Sequence, residues 1–361
     1  MRIALAAGGT AGHVYPALAT LSALRSAGEP VQARFFGPDN RGERELVSGH
    51  HVPFETVPAA PIRGQARLAL VASLARTAAG IATAVRALRR FRPHIVFSTG
   101  GYGSFPPSVA ARILRLPLVV FLPDVEPGLA VRIEVRLATR VATATEAALP
   151  QLPREKTLVT GYPVRQAFAG SRAASRSALG WGMDEQVLLV AGATQGARAI
   201  NDAVWASLPR LCEASRVVHI TGEAAIARAT AEREALSGEL RTRYEPSTFR
   251  PDLPALMLAA DLAVMRAGAS VLGELPAAGL PAVLVPGTFA GGHQRANARW
   301  LADRGAAITL EEAEIETLER QVLCLLGDDS KRSAMARAAR EAGGSDGAAR
   351  LGALLREVAK Q

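Results

Sequence analysis

Short, wholly apolar runs alternate along this chain with longer stretches of helical period. In the first half the runs fall at Arg2 to Ala7, Val31 to Phe36, His94 to Ser98, Leu118 to Leu122 and Val141 to Thr143. In the second half they fall at Val187 to Ala191, Val217 to Thr221, Leu262 to Met265 and Ala282 to Val285. Apolar runs this short, without polar alternation, read as strands buried on both faces, and the stretches between them read as helical crossovers. The pattern predicts an α/β protein of two doubly wound, parallel-sheet domains. Residues 1–161 form the first domain and 182–340 the second. Between them, 162–181 (YPVRQAFAGSRAASRSALGW) is polar, rich in Ala and Ser and lacks a strand pattern, so it reads as a linker. Residues 341–361 form a last helix that can pack back on the first domain. Two such sheets facing each other line a cleft with the loops at the carboxyl ends of their strands, where ligands of open α/β sheets bind.

Polar and glycine residues gather at that end in three places. After Leu262 to Met265 come Arg266, Gly268 and Ser270, then an Ala- and Leu-rich helix that stops at Gly279 before Leu280-Pro281. Ser270 falls near the N-cap, and Glu274 lies one turn on, on the same face. The unpaired N–H groups and about half a positive charge of a helix start, with Arg266 beside them, suit a diphosphate, while Glu274 suits a ribose diol. An ordinary βαβ unit with a solvated arginine is the competing reading of this unit alone. Two further turns, IALAAGGTAGHVYPALA from Ile3 and VLLVAGATQGARAIND from Val187, also follow strands and open helices. Glycine there lets main chain approach a ligand closely. Gly8, Gly9 and Gly12 lack the dinucleotide spacing, and neither turn carries the Lys-Ser/Thr pair of a P-loop, so dehydrogenase and NTPase are set aside.

Composition narrows the class. A chain of 361 residues with 49% apolar residues supports two cores. Cys212 and Cys324 stand apart without CxxC partners, which argues against zinc and a disulfide framework. No secretory signal and no run of about 18 apolar residues is present, so a cytosolic location is expected. The net charge is +9, and no acidic residue occurs between Glu55 and Asp124, where Arg63, Arg67, Arg76, Arg86, Arg89, Arg90, Arg92, Arg112 and Arg115 all lie. Nucleic acid and an anionic membrane both fit such a face. Single-strand binding needs aromatic stacking residues, and Phe91 is the sole aromatic between Arg63 and Arg92. The stretch RLALVASLARTAAGIATAVRALRRF instead mixes aliphatic residues with arginine, as an interfacial helix does, which favours the membrane surface over nucleic acid.

Six ordered motifs then resemble one family over nearly the whole chain: GGTAGHVYPALA from Gly8, STGGYGSFPP from Ser98, GYPVR from Gly161, GATQGARAIN from Gly192, RAGASVLGELPAAGLPAVLVP from Arg266 and HQRANARWLADRGAA from His293. They resemble the MurG transferases, which move N-acetylglucosamine from UDP-N-acetylglucosamine onto undecaprenyl-diphosphate-linked muramyl pentapeptide at the cytoplasmic face of the membrane. The resemblance implies the two-domain GT-B fold, with the acceptor in the first domain and the sugar nucleotide in the second. It implies that Thr194, Gln195 and Arg266 hold the donor diphosphate, Glu274 the ribose, and Gln294 the glucosamine hydroxyls, with Phe249 and Arg250 bordering the uracil. Arg165, Ser270 and Asn297 complete the expected donor set. Gly9, Thr10, Gly12, His13, Gly101, Tyr102 and Ser104 face the acceptor. No DxD motif occurs, so no metal and no cofactor are expected; UDP-N-acetylglucosamine is a substrate.

The chemistry implied is inverting transfer, which needs a base for the muramyl 4-hydroxyl and stabilisation of charge on departing UDP. His13 is the expected base or its positioner. The family's His-Glu-Gln-Asn tetrad is replaced by Phe121, Leu122, Pro123 and Asp124, with Glu126 two residues on, so Asp124 and Glu126 are the alternative carboxylates. Tyr162 and Gly292 also depart from the family, at an Asn and an Asp position. Competing readings are a UDP-sugar transferase with another acceptor, a UDP-N-acetylglucosamine 2-epimerase, and a non-catalytic donor-binding subunit.

Overall fold

The computed structural model describes the chain except residues 9–10, 41, 62–66, 193–196, 288–291, 345 and 361, together with the side chains of residues 11 and 67–70. It divides into two compact units, residues 1–166 with 345–361, and residues 167–344. The first unit holds β1 (Arg2–Ala6), β2 (Gln32–Gly37), β3 (Phe54–Thr56), β4 (Ile95–Ser98), β5 (Leu118–Leu122), β6 (Arg140–Thr143) and β7 (Thr157–Val159). Their order across the sheet is β3-β2-β1-β4-β5-β6-β7, parallel throughout. The second unit holds β8 (Val187–Ala191), β9 (Arg216–Ile220), β10 (Tyr244–Ser247), β11 (Leu262–Met265), β12 (Ala282–Leu284) and β13 (Ala307–Thr309), ordered β10-β9-β8-β11-β12-β13 and again parallel.

Strand order reverses between β1 and β4 in one sheet and between β8 and β11 in the other. At such a switch point the flanking crossovers leave on opposite faces and open a crevice at the carboxyl ends of the strands. The central strands β4, β5 and β8 are buried along their whole length, as helices on both faces require. All nine predicted strands form, with ends displaced by a residue at most. The four strands that the apolar pattern misses, β3, β7, β10 and β13, are the four sheet edges. An edge strand has one ladder partner and a half-exposed face, so it needs only three or four residues and no continuous apolar run.

Within the stretch read as a linker, the helix Arg172–Leu179 starts at Ser171, whose Oγ accepts from the Ala174 N–H at 3.2 Å. Its Arg176 is fully buried and donates to the Ala259 carbonyl at 3.0 Å and to Asp261 at 2.9 Å, so from Ala167 onward the chain is part of the second unit. The last helix, Gly347–Val358, lies in the first unit beside the helix Ala11–Ser26. A Cβ at Gly352 would lie 3.2 Å from Leu24, and Arg356 pairs with Glu29 at 3.1 Å.

One buried polar chain fixes the helix Arg198–Ala206, which follows the β8 turn. Trp205 Nε1 donates to Tyr244 Oη, Tyr244 Oη lies 3.0 Å from His219 Nδ1, and His219 Nε2 lies 3.0 Å from Asn201 Oδ1. Asn201 Nδ2 donates to the Thr221 carbonyl at 3.0 Å. The amide oxygen accepts only, so the His219 proton sits on Nε2, and Nδ1 takes the tyrosine proton. Burial drives the imidazole down to about 3, so it stays neutral. Tyr244→Phe strands both the Trp205 donor and the His219 acceptor and should cost about 2 kcal/mol. Trp181, Trp205 and Trp300 all lie in the second unit, so tryptophan fluorescence during urea unfolding reads this directly. An unchanged midpoint would show that the chain contributes no stability.

Candidate active site at the two switch points

In the first unit, the loops after β1 and β4 meet main chain to main chain. Gly101 has φ 84°, and a Cβ there would lie 2.1 Å from the Gly8 carbonyl oxygen, so only glycine fits. A Cβ at Gly103 would lie 2.8 Å from Gly8 Cα. Thr99 Oγ1 donates to the His13 carbonyl at 2.5 Å, binding the β4 loop to the first turn of the helix Ala11–Ser26. The His13 imidazole rests on the turn, with Cγ 3.5 Å from a Cβ placed at Gly101 and Cδ2 3.4 Å from one placed at Gly100. Tyr102 Oη donates to Asn40 Oδ1 at 3.2 Å, which draws the loop after β2 into the same cluster. Gly12, His13, Gly101 and Tyr102 therefore lie together in one loop cluster, while Gly9 and Thr10 lie outside the described residues.

Ser104 does not face the crevice. It is fully buried, with Oγ 2.9 Å from the Gly101 carbonyl and 2.7 Å from Glu134 Oε1. Glu134 was not among the expected residues. It projects from the helix Leu129–Leu137, and its second oxygen accepts from Ser98 Oγ at 2.8 Å. Ser98 Oγ in turn accepts from the Gly100 N–H at 3.2 Å. Burial pushes the carboxyl up to about 7, against the opposing pull of the serine hydroxyls. Flanked by Arg132 and Arg136, this glutamate reads from sequence as one member of a solvated charge pattern. The missed signal is its register, because Val131, Glu134, Val135 and Ala138 recur at helical spacing and all four are buried.

Asp124 and Glu126 follow β5, next to β4 in the sheet, and are half-buried. The two departures nearby belong together: Phe121 and Tyr162 pack edge to face with ring centroids 6.1 Å apart, and Tyr162 Oη donates to the Gly12 carbonyl at 3.2 Å. An aromatic pair thus occupies the His and Asn positions of the resemblance and still reaches the β1 loop. Arg165, expected on the donor, belongs to the first unit, where its guanidinium stacks 4.4 Å over Tyr15.

In the second unit Ser270 is the N-cap of the helix Val271–Ala278, and its carbonyl accepts from the Glu274 N–H at 2.8 Å. Gly279 closes the helix in the left-handed conformation, φ 60°. Glu274 is buried one turn in. Arg266 is not a free cation. It is 7% exposed, donating to the Val285 carbonyl at 3.2 Å and to Glu312 at 2.6 Å. Asn297 is fully buried and donates to the Ala267 carbonyl at 3.0 Å, so it braces the β11 loop instead of presenting a hydroxyl-binding amide. Gln294 Oε1 accepts from the Gly287 N–H at 2.8 Å and braces the loop after β12. Phe249 is exposed, and Arg250 is clamped on Asp252 at 2.8 and 2.6 Å. Thr194 and Gln195 lie outside the described residues. Among the described residues no cluster of three His, Cys, Asp or Glu is disposed to hold a metal.

The arrangement resembles known proteins over its full length. Residues 3–143 match the glycosyltransferase family 28 N-terminal domain, and residues 187–356 match the family 28 C-terminal domain. A relative from Roseiflexus sp. (strain RS-1), named UDP-N-acetylglucosamine–N-acetylmuramyl-(pentapeptide) pyrophosphoryl-undecaprenol N-acetylglucosamine transferase, is 38% identical over 98% of this chain and 94% of its own. The chain belongs to the MurG family. A family member of the same name from Halalkalibacterium halodurans is 30% identical, with both chains fully covered. The crystal structure of Acinetobacter baumannii MurG superposes with a TM-score of 0.71 at 24% identity, covering 99% of each chain. A UDP-GlcNAc 2-epimerase from Neisseria meningitidis, bound to UDP-GlcNAc, superposes with a TM-score of 0.68 at 14% identity, a likeness of fold alone. In this MurG-family chain, as in its structural neighbours, the fold is of the GT-B type, two parallel-sheet α/β units.

The buried Glu134 gives the chain a pH signature. Its folded value lies above the ordinary 4.5, so the native state binds more protons than the unfolded state between the two values. The stability it contributes is complete below about 4.5 and is lost as pH rises through about 7. Glu134→Gln cannot ionise, so the stability of the variant over wild type should grow by roughly 3 kcal/mol between pH 4.5 and 8. Thermal melts of both proteins across that range test it, and a pH-independent difference would contradict it.

Proposed function

We propose that this chain transfers N-acetylglucosamine from UDP-N-acetylglucosamine to the 4-hydroxyl of undecaprenyl-diphosphate-linked N-acetylmuramyl pentapeptide, the lipid I to lipid II step of peptidoglycan synthesis, with inversion at the anomeric carbon. The observation that carries this reading is the near-full-length likeness to transferases named for that reaction, in a chain whose two switch points each carry a preorganised loop cluster.

On this reading the donor lies at the β8/β11 switch. The N–H groups opening the helix Val271–Ala278, with Arg266, Thr194 and Gln195, receive the diphosphate. Glu312 keeps the Arg266 guanidinium in place, leaving other N–H groups of its fork for phosphate oxygens. Glu274 takes the ribose hydroxyls, Phe249 and Arg250 border the uracil, and the amide end of Gln294 meets the sugar. Negative charge growing on UDP is met by dipoles already oriented before the reaction, which costs no reorganisation. The acceptor diphosphate lies on the glycine turns of the β1/β4 switch. His13 takes the proton of the attacking hydroxyl, a task suited to a side chain of its type at neutral pH. Asp124 and Glu126, one strand away, are the competing bases.

The acceptor is lipid-linked, and the first unit has a surface to meet it. The helix Arg67–Phe91 exposes Val71 (66%) and Leu74, while Ile113, Leu129 and Ile133 are exposed on the helices Phe105–Ile113 and Leu129–Leu137. The same helices carry the exposed Arg76, Arg112, Arg132 and Arg136, so apolar insertion and attraction to anionic lipid act together. Among the described residues no helix is long and apolar enough to cross a membrane, and a peripheral position on the cytoplasmic face fits both facts.

The test is UDP release from UDP-N-acetylglucosamine with and without a short-chain lipid-diphosphate-muramyl pentapeptide. Acceptor-dependent release with a disaccharide product is expected, and donor binding without release would contradict the reading. In the same assay His13→Ala should lower kcat by about a hundredfold or more with little change in donor KM. Near-wild-type turnover would move the base to Asp124 or Glu126.

A further inference from the structure

The β4 loop makes a reversal at two consecutive left-handed glycines, Gly100 (φ 85°) and Gly101 (φ 84°). Glycine pairs of this kind are conformationally permissive, so a turn built on them holds one shape only when other groups impose it. Two serines flank the reversal, and both are fully buried. Ser98 precedes it and receives the Gly100 N–H; Ser104 follows it and lies on the Gly101 carbonyl. Each serine also meets one oxygen of the same carboxyl, Ser98 on Oε2 at 2.8 Å and Ser104 on Oε1 at 2.7 Å. The carboxyl therefore spans the turn like a staple, and the peptide groups it fixes are those against which the His13 ring and the Gly8 carbonyl rest.

A buried carboxyl is expensive to keep, and an aliphatic side chain would fill the same helical position at lower cost. We propose that Glu134 is a positioning residue for the acceptor: by fixing both ends of the Thr99–Ser104 turn through Ser98 and Ser104, it sets the geometry in which His13 and the turn's main chain meet the acceptor diphosphate. This rests on the glycosyl-transfer reading, in which the β1/β4 switch receives the acceptor. The hydroxyl of Ser98 accepts from Gly100 with a lone pair because its proton is committed to Glu134, so the carboxyl orients the loop amide at one remove. Glutamine keeps an acceptor for one serine and a donor or acceptor for the other; leucine keeps neither.

The experiment compares Glu134→Leu, Glu134→Gln and Ser98→Ala with wild type in two readouts. The first is steady-state kinetics with the donor and the short-chain muramyl acceptor varied separately. The second is hydrogen exchange of the peptide containing Gly100 to Ser104. Glu134→Leu should raise acceptor KM about tenfold and speed exchange in that peptide by a similar factor, the loss of about one hydrogen bond to an ionisable group, with donor KM unchanged. Glu134→Gln should restore both values to near wild type. Ser98→Ala severs the same tether without touching the helix, and it carries the test alone if Glu134→Leu does not fold. A folded Glu134→Leu or Ser98→Ala with wild-type exchange and wild-type acceptor KM would overturn the proposal. So would a parallel rise in donor and acceptor KM, which marks general damage. If wild type itself fails to use the muramyl acceptor, the functional reading fails, and the exchange comparison still decides whether Glu134 holds the turn.

Discussion

The first unit depends on one close approach, main chain against main chain, where the β4 loop crosses the β1 loop. Gly101 lies on the Gly8 carbonyl and Gly103 on the Gly8 Cα, with the Pro38 ring against both Gly8 and Gly103. Two loops that touch through peptide groups cannot shift independently, so everything attached to one is registered on the other. The His13 ring lies on the second loop although its helix grows from the first. Thr99 reaches back to the His13 carbonyl, Tyr102 draws in the loop after β2, and Tyr162 closes on the Gly12 carbonyl.

The second unit reaches the same end by another route. Side chains there brace the loops: Asn297 holds Ala267, Gln294 holds Gly287, and Arg266 is pinned between the Val285 carbonyl and Glu312. The start of the helix Val271–Ala278, which the proposed reading turns toward the diphosphate, is thereby fixed before any ligand arrives. Glu312 also pairs with Arg266 and holds its guanidinium in one orientation. On the proposed reading, proton acceptance falls to the glycine turns and leaving-group stabilisation to the braced helix.

The central strands were legible in the sequence because a parallel sheet buried on both faces leaves a continuous apolar run. The edges were illegible because burial there is half complete. The same contrast governs the site. That Gly12, His13, Gly101 and Tyr102 share one loop cluster was legible from the glycine pattern, since close main-chain approach permits few residue types. Ser104 and Asn297 were misjudged because polar side chains near a crevice look alike in sequence whether they face a ligand or a neighbouring carbonyl. Arg266 was expected on the donor diphosphate; its ion pair with Glu312 was not foreseen, because that residue lies in a distant segment that no local pattern connects to it. Glu134 was hidden by the arginines on either side, although its helical register with Val131, Val135 and Ala138 marks it as buried. Phe121 and Tyr162 read as two separate losses of polar groups, whereas in three dimensions they are one substitution of an aromatic contact for a polar one.

On the proposed reading the glycine crossing registers the acceptor side of the site, and Gly101→Ala tests this most directly. The added methyl meets the Gly8 carbonyl and must push the loops apart. A displacement of about 1 Å between reacting groups costs on the order of a hundredfold in rate. Acceptor-dependent UDP release should fall by about that factor, while UDP-N-acetylglucosamine binding by calorimetry stays at its wild-type value. A folded Gly101→Ala protein that turns over at the wild-type rate would contradict the account.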